Sequence, residues 1–183
     1  MTWCELGPFT VFDVETTGMS PVYDRIVEIA ALRIDKDGRK SRFSALVNPG
    51  RRIPAAAVRV HHITEQMVAD APFFDRVGAD FLSFAAGTTL VAHNAKFDLG
   101  FLQESCVRSG LDIWEGKVLD TLRLVRSTHP GLPSYKLQDL RITLDLKCGN
   151  GIAHRAGSDV EWTAVLLEKT LTALIAANTK VTC

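Results

Sequence analysis

The feature that most limits the fold of this 183-residue chain is the order of its apolar runs. Three strand-like runs come first, and helical and strand-like patterns alternate afterwards. Phe9-Thr10-Val11-Phe12-Asp13-Val14 is a short apolar run closed by Thr16-Thr17-Gly18. Ile26 to Ile34 is a second, and Phe43 to Val47 is a third, closed by the turn sequence Asn48-Pro49-Gly50. Asp37-Gly38, between the second and third, predicts a hairpin. Further along, Phe73 to Ala85 places Phe73, Phe74, Val77, Phe81 and Phe84 at helical spacings. Thr89 to Ala92 reads as a short buried strand, and Phe97 to Ser109 as a helix stopped by Gly110. Val118 to Asp120 reads as a strand leading into a helix over Thr121 to Ser127, and the last helix runs from near Gly157 to about Ala177. This order predicts an α/β fold in which a mixed sheet is flanked by helices.

With 46% hydrophobic and 23% charged residues, the chain can bury a full core without a disulfide or metal staple. No repeat, low-complexity tract or linker divides it, so one domain over residues 1–183 is expected. Cys4, Cys106, Cys148 and Cys183 lie far apart, with no C-x-x-C pair, which argues against structural zinc and for a reducing compartment. Met1-Thr2-Trp3-Cys4-Glu5 lacks a secretory pattern. The most apolar helix, Val160 to Ala177, is interrupted by Glu161, Glu168 and Lys169, too polar to span a bilayer. A cytoplasmic protein without membrane contact is the expectation. The 21 basic and 21 acidic residues balance, which argues against tight, extensive binding to duplex nucleic acid. An enzyme holding a few nucleotides in a local cleft remains compatible with that neutrality.

Three acidic motifs carry candidate chemistry. Asp13 and Glu15 sit at i and i+2 at the end of the first strand, so strand alternation sends both side chains to one face. Mutual repulsion there is relieved by a divalent cation, and oxygen ligands suit Mg²⁺ or Mn²⁺ rather than zinc. Taken alone, the pair is better read as a strand that ends in two solvated acids, because D-x-E is common. His93-Asn94-Ala95-Lys96-Phe97-Asp98 follows the buried strand Thr89 to Ala92, and ligand sites in such sheets gather outside strand ends. Asp98 alone could be an acid that favours a helix N-terminus. In His154-Arg155-Ala156-Gly157-Ser158-Asp159, the histidine lies in a loop of small residues and Asp159 opens the last helix. The stripe Val160, Ala164, Leu167, Leu171 and Leu174 should face the sheet, which directs Asp159 toward the strand ends.

Together, Asp13-Val14-Glu15-Thr16-Thr17-Gly18, His93-Asn94-(x)₂-Phe97-Asp98 and His154-(x)₄-Asp159 resemble the DEDDh, or DnaQ-like, 3′→5′ exonuclease family. The likeness is greatest to the proofreading epsilon subunits of bacterial DNA polymerase III and spans residues 9 to about 170. Val60-His61-His62-Ile63-Thr64 and Lys136-Leu137-Gln138-Asp139-Leu140 are also similar to family segments. The resemblance implies an RNase H-like fold: a mixed five-stranded sheet, three antiparallel strands first. It implies that Asp13, Glu15, Asp98 and Asp159 hold two Mg²⁺ or Mn²⁺ ions, and that His154 is the general base. It further implies that Thr16, Thr17, Gly18, His61, Ile63, Asn94 and Phe97 contact the terminal nucleotide. His62 stands where the family often has glycine, a departure that bears on the local backbone.

The implied activity is hydrolysis of DNA from single-stranded or frayed 3′ ends, releasing nucleoside 5′-monophosphates in proofreading or DNA repair, either free-standing or held by a DNA polymerase partner through its folded surface. Thr16-Thr17-Gly18 resembles the DNA-proofreading members. An RNA exonuclease of the ribonuclease T or oligoribonuclease type would use the same acids. A non-catalytic adaptor would have no use for five convergent polar groups. Asn178 to Cys183 offers little room for a C-terminal tether to a polymerase.

Overall fold

Five strands form one sheet in the order β3-β2-β1-β4-β5, with helices on both faces. The structure, a computed structural model, describes residues 2–147 and 155–181, with side chains described as far as 177. His154, Cys148 and Cys183 lie outside the described residues. The strands are β1 (Phe9–Thr16), β2 (Ile26–Ile34), β3 (Lys40–Leu46), β4 (Thr89–Ala92) and β5 (Val118–Asp120). The helices are α1 (Ala55–His61), α2 (Glu65–Val68), α3 (Phe74–Ala85), α4 (Ala95–Ser109), α5 (Thr121–Thr128), α6 (Leu137–Thr143) and α7 (Ala156–Val181).

The first three strands are antiparallel, and β4 and β5 run parallel to β1, as the resemblance implies. The β2–β3 hairpin turns at Asp37-Gly38, where Gly38 takes a φ of 82° that a side chain would strain. Gly110 caps α4 in the left-handed conformation, as the sequence predicts.

Alternation along β1 divides the core in two. Phe12 and Val14 face α3 and α4, where they join Phe81, Phe101 and Leu102. Phe9 and Val11 face the other way and meet Val160, Ala164, Leu167 and Leu171 of α7, with Leu174 partly buried beside them. The predicted α7 stripe therefore does face the sheet. Each fully buried leucine in it contributes about 1.5–3 kcal/mol.

Some boundaries differ from the expectations. β3 begins at Lys40 rather than Phe43, because backbone pairing with β2 continues through the exposed edge residues Lys40, Ser41 and Arg42. It ends at Leu46, before Val47. Phe73 caps α3 instead of opening it. α4 starts at Ala95, two residues before the apolar pattern becomes visible, after Asn94 reverses the chain at φ 66°. The short helices α1, α2 and α6 were not expected, since four to seven residues carry too little periodicity to stand out. His62 ends α1 at φ 61°, the left-handed conformation that glycine adopts without cost, so the substitution keeps the glycine-like backbone.

Candidate metal centre and nucleic-acid cleft

The stagger between β1 and β4 creates the site. Their last paired residues are Val11 and Val91, so the end of β1, Asp13 to Thr16, projects past the end of β4. Alternation places Asp13 and Glu15 on the face that Phe9 and Val11 share with α7, and Asp159 from the first turn of α7 arrives there. One carboxylate oxygen from each of Asp13, Glu15 and Asp159 lies within 4.8 Å of the others.

Asp98 comes from the first turn of α4. Its Oδ1 accepts from Val14 N at 3.2 Å, on the edge of β1 that β4 no longer covers. It is 3% exposed and stands beside Asp13, whose carboxyl it helps to push up.

The electrostatics are those of anions concentrated away from water. Burial, then the charges of Asp98, Glu15, Asp159 and Glu28, hold Asp13 well above the usual carboxylate range. Burial, then Asp159, Glu28 and Asp98, push Glu15 up to about 8. Burial pushes Asp98 up to about 7 against the opposing hydrogen bond from Val14. Arg155 lies near enough to lower Glu15, but Glu28 already engages it. The arrangement fits a divalent cation with oxygen ligands.

The linkage gives a signed prediction. The folded protein retains protons on these acids between about pH 4, where they ionise when unfolded, and the raised values near 7 and 8. Stability of the metal-free protein is therefore expected to fall as pH rises through that window. Thermal midpoints in EDTA should drop between about pH 5 and 8.5, and added Mn²⁺ should raise the midpoint more at the higher pH. Equal midpoints across the range would show that the acids are not mutually destabilising.

Beside the acids opens a cleft of about 960 Å³, with Asp13 and Asp159 in its wall. Asn94, Phe97 and Met19 line one part, and Arg126, Tyr135, Lys136 and Gln138 line another. Phe97 is supported by Phe101, with ring centroids 4.9 Å apart. His93, half-buried, ties the cleft wall to the sheet: Nδ1 meets Thr121 Oγ1 at 3.0 Å and Nε2 donates to the Tyr135 carbonyl at 2.8 Å. Asp120 Oδ1 accepts from both Asn94 N and Leu122 N, fixing the turn that presents Asn94.

The remaining sequence candidates are placed differently. Thr17 is 2% exposed, and its hydroxyl is committed to closing the 17–25 loop with Arg25 N and Asp24 Oδ1. Thr16 is 8% exposed, with its hydroxyl donating to the Gly18 carbonyl. Gly18 packs so closely on the Asp24 carboxylate that a Cβ would overlap it. His61 and Ile63 are 2% and 0% exposed, and neither lines the cleft; Ile63 packs with Val27, Ile53 and Val68. The structure thus brings Asp13, Glu15, Asp98, Asp159, Asn94 and Phe97 together and sets His61 and Ile63 in the interior.

Sequence reasoning missed Glu28 and Gln138. Glu28 is the cross-strand partner of Glu15 and is 4% exposed. It accepts from Arg155 Nε at 3.1 Å and Nη2 at 2.7 Å, and from Ala156 N at 3.1 Å, so it anchors the start of α7. A glutamate inside the apolar run Ile26-Val27-Glu28-Ile29-Ala30 was the available signal, because a buried charge requires a partner. Gln138 Nε2 donates to Asp159 Oδ1 at 2.8 Å.

A mixed sheet of this order, with acids clustered at the end of its central strand, defines the exonuclease form of the RNase H-like fold. The chain matches the exonuclease family model RNase_T over residues 10–167, and it belongs to that family. It is 40% identical over 153 residues to the DNA polymerase III subunit epsilon of Treponema pallidum, covering 82% of this chain and 70% of that one. It is 41% identical over 165 residues to the PolC-type DNA polymerase III of Caldanaerobacter subterraneus, of whose length it spans 12%. Among solved structures it is similar to exonuclease X in complex with 5′ overhanging duplex DNA, with a TM-score of 0.70 and 34% identity over 90% of this chain and 91% of that one.

Proposed function

We propose that the chain is a divalent-metal-dependent 3′→5′ exonuclease that removes nucleotides from single-stranded or frayed DNA ends and releases nucleoside 5′-monophosphates. The observation that carries this reading is the convergence of Asp13, Glu15 and Asp159, with Asp98 beside Asp13, next to a cleft of about 960 Å³ that Asp13 and Asp159 line. Asp13, Glu15, Asp98 and Asp159 would hold two Mg²⁺ or Mn²⁺ ions, whose chemistry is to polarise the phosphoryl oxygens and acidify an attacking water. His154 would serve as the general base, a task suited to a group of unperturbed pKa ~6.5. Phe97 offers a face for the terminal base and Asn94 hydrogen bonds for the sugar, while Arg126 and Lys136 supply positive charge for the phosphates.

The DNA assignment draws on the epsilon relative and on exonuclease X, whose complex contains duplex DNA. It suits proofreading or repair in the cytoplasm, in association with a DNA polymerase. A panel of single-stranded DNA, 3′-mismatched duplex DNA and single-stranded RNA, each with Mg²⁺, Mn²⁺ or EDTA, tests it. Metal-dependent release of 5′-monophosphates is expected, with DNA cut at least about tenfold faster than RNA, a discrimination of about 1.4 kcal/mol. A preference for RNA would overturn the DNA assignment, and release that persists in EDTA would overturn the metal mechanism.

A further inference from the structure

α6 meets α7 beside the acids through three side chains that the proposed mechanism does not use. Gln138 Nε2 donates to Asp159 Oδ1 at 2.8 Å, and Arg141 Nη1 donates to Gln138 Oε1 at 2.7 Å. The Arg141 guanidinium lies 3.6 Å from the centre of the Trp162 ring. Trp162 follows Asp159 by one turn of α7 and is 2% exposed, so the guanidinium rests on a fixed seat.

Donor and acceptor chemistry permits one orientation of the amide. A guanidinium only donates and an ionised carboxylate only accepts, so the amide oxygen faces Arg141 and the amide nitrogen faces Asp159. Arginine keeps its proton at every working pH, which makes the orientation independent of pH.

We propose that Gln138 is a positioning residue for Asp159, holding its carboxylate in the geometry of the cluster before a cation arrives. The choice of an amide matters. A lysine or arginine at 138 would restrain Asp159 equally well, but its charge would neutralise the carboxylate and compete with the cation. The amide restrains without neutralising, and the balancing positive charge of Arg141 stays one hydrogen bond further from Asp159. The proposal rests on the reading of Asp159 as a metal ligand.

The test is calorimetric titration of the full chain with Mn²⁺, supported by thermal melts in EDTA. Gln138→Met, which retains length and loses the donor, is expected to weaken Mn²⁺ binding about tenfold, as loss of an outer-shell partner does. Its metal-free midpoint should fall only slightly, because water reaches the half-buried Gln138 and replaces the two lost hydrogen bonds, and a merely structural role would not give weakened metal binding at a nearly unchanged midpoint. Turnover should fall with little change in KM for DNA, and excess Mn²⁺ should restore part of it. Arg141→Met, which frees the amide to rotate, should weaken Mn²⁺ binding in the same direction, and it carries the test should Gln138→Met not fold. Wild-type Mn²⁺ affinity in both variants would overturn the proposal. A wild-type protein that binds no Mn²⁺, or an Asp159→Asn variant that binds it normally, would instead overturn the reading of the site itself.

Discussion

Asp13→Asn is expected to reduce the single-turnover rate of nucleotide release by at least about 10³-fold, equivalent to about 4 kcal/mol of transition-state stabilisation. The loss should exceed the roughly 10–100-fold cost of removing an outer-shell partner, because Asp13 belongs to the cluster itself. The same change should stabilise the metal-free protein above about pH 8, since it removes a half-buried anion crowded by Asp98, Glu15, Asp159 and Glu28. Opposite signs for activity and stability are the signature of a group retained for function at the expense of the fold. A variant that keeps more than a tenth of the wild-type rate would remove Asp13 from the chemistry.

The second large effect concerns stability. Glu28→Ala leaves the Arg155 guanidinium and the Ala156 amide without their acceptor at the point where α7 begins. Breaking a buried pair by removing one partner costs about 3–5 kcal/mol, and with Arg155 32% exposed in its side chain the lower end is expected. Urea denaturation of the metal-free protein measures it. Asp80→Ala is the control, because the exposed Arg76–Asp80 pair at 3.4 Å should contribute no more than about 0.5 kcal/mol. A loss below about 1 kcal/mol for Glu28→Ala would mean that water replaces the carboxylate and that α7 is held by its apolar stripe alone.

The acids that read clearly from sequence are those whose direction follows from local periodicity. Period-2 alternation set Asp13 and Glu15 on one face, and the α7 stripe brought Asp159 toward them. Asp98 was legible through its place after β4, but its bond to Val14 was not, because that depends on how far β1 outruns β4. Glu28 and Arg155 are 127 residues apart, and Gln138 and Asp159 are 21 apart on different helices. No local pattern pairs such residues; the first pair needs α7 docked on β2 and the second needs α6 docked on α7. The resemblance places His61 and Ile63 at the terminal base; their burial was not legible, since burial at the end of so short a helix is decided by what packs over it.

The separation of Asp159 from the other acids also has a temporal meaning during synthesis. A ribosome-bound chain that has emerged only through β5 holds Asp13, Glu15 and Asp98, but the helix bearing Asp159 is not yet available to complete the cluster. Domains fold as their segments emerge, N-terminal parts first, at about 5–20 residues per second. On the proposed reading, the metal-binding cluster therefore lacks one of its acids until α7 docks.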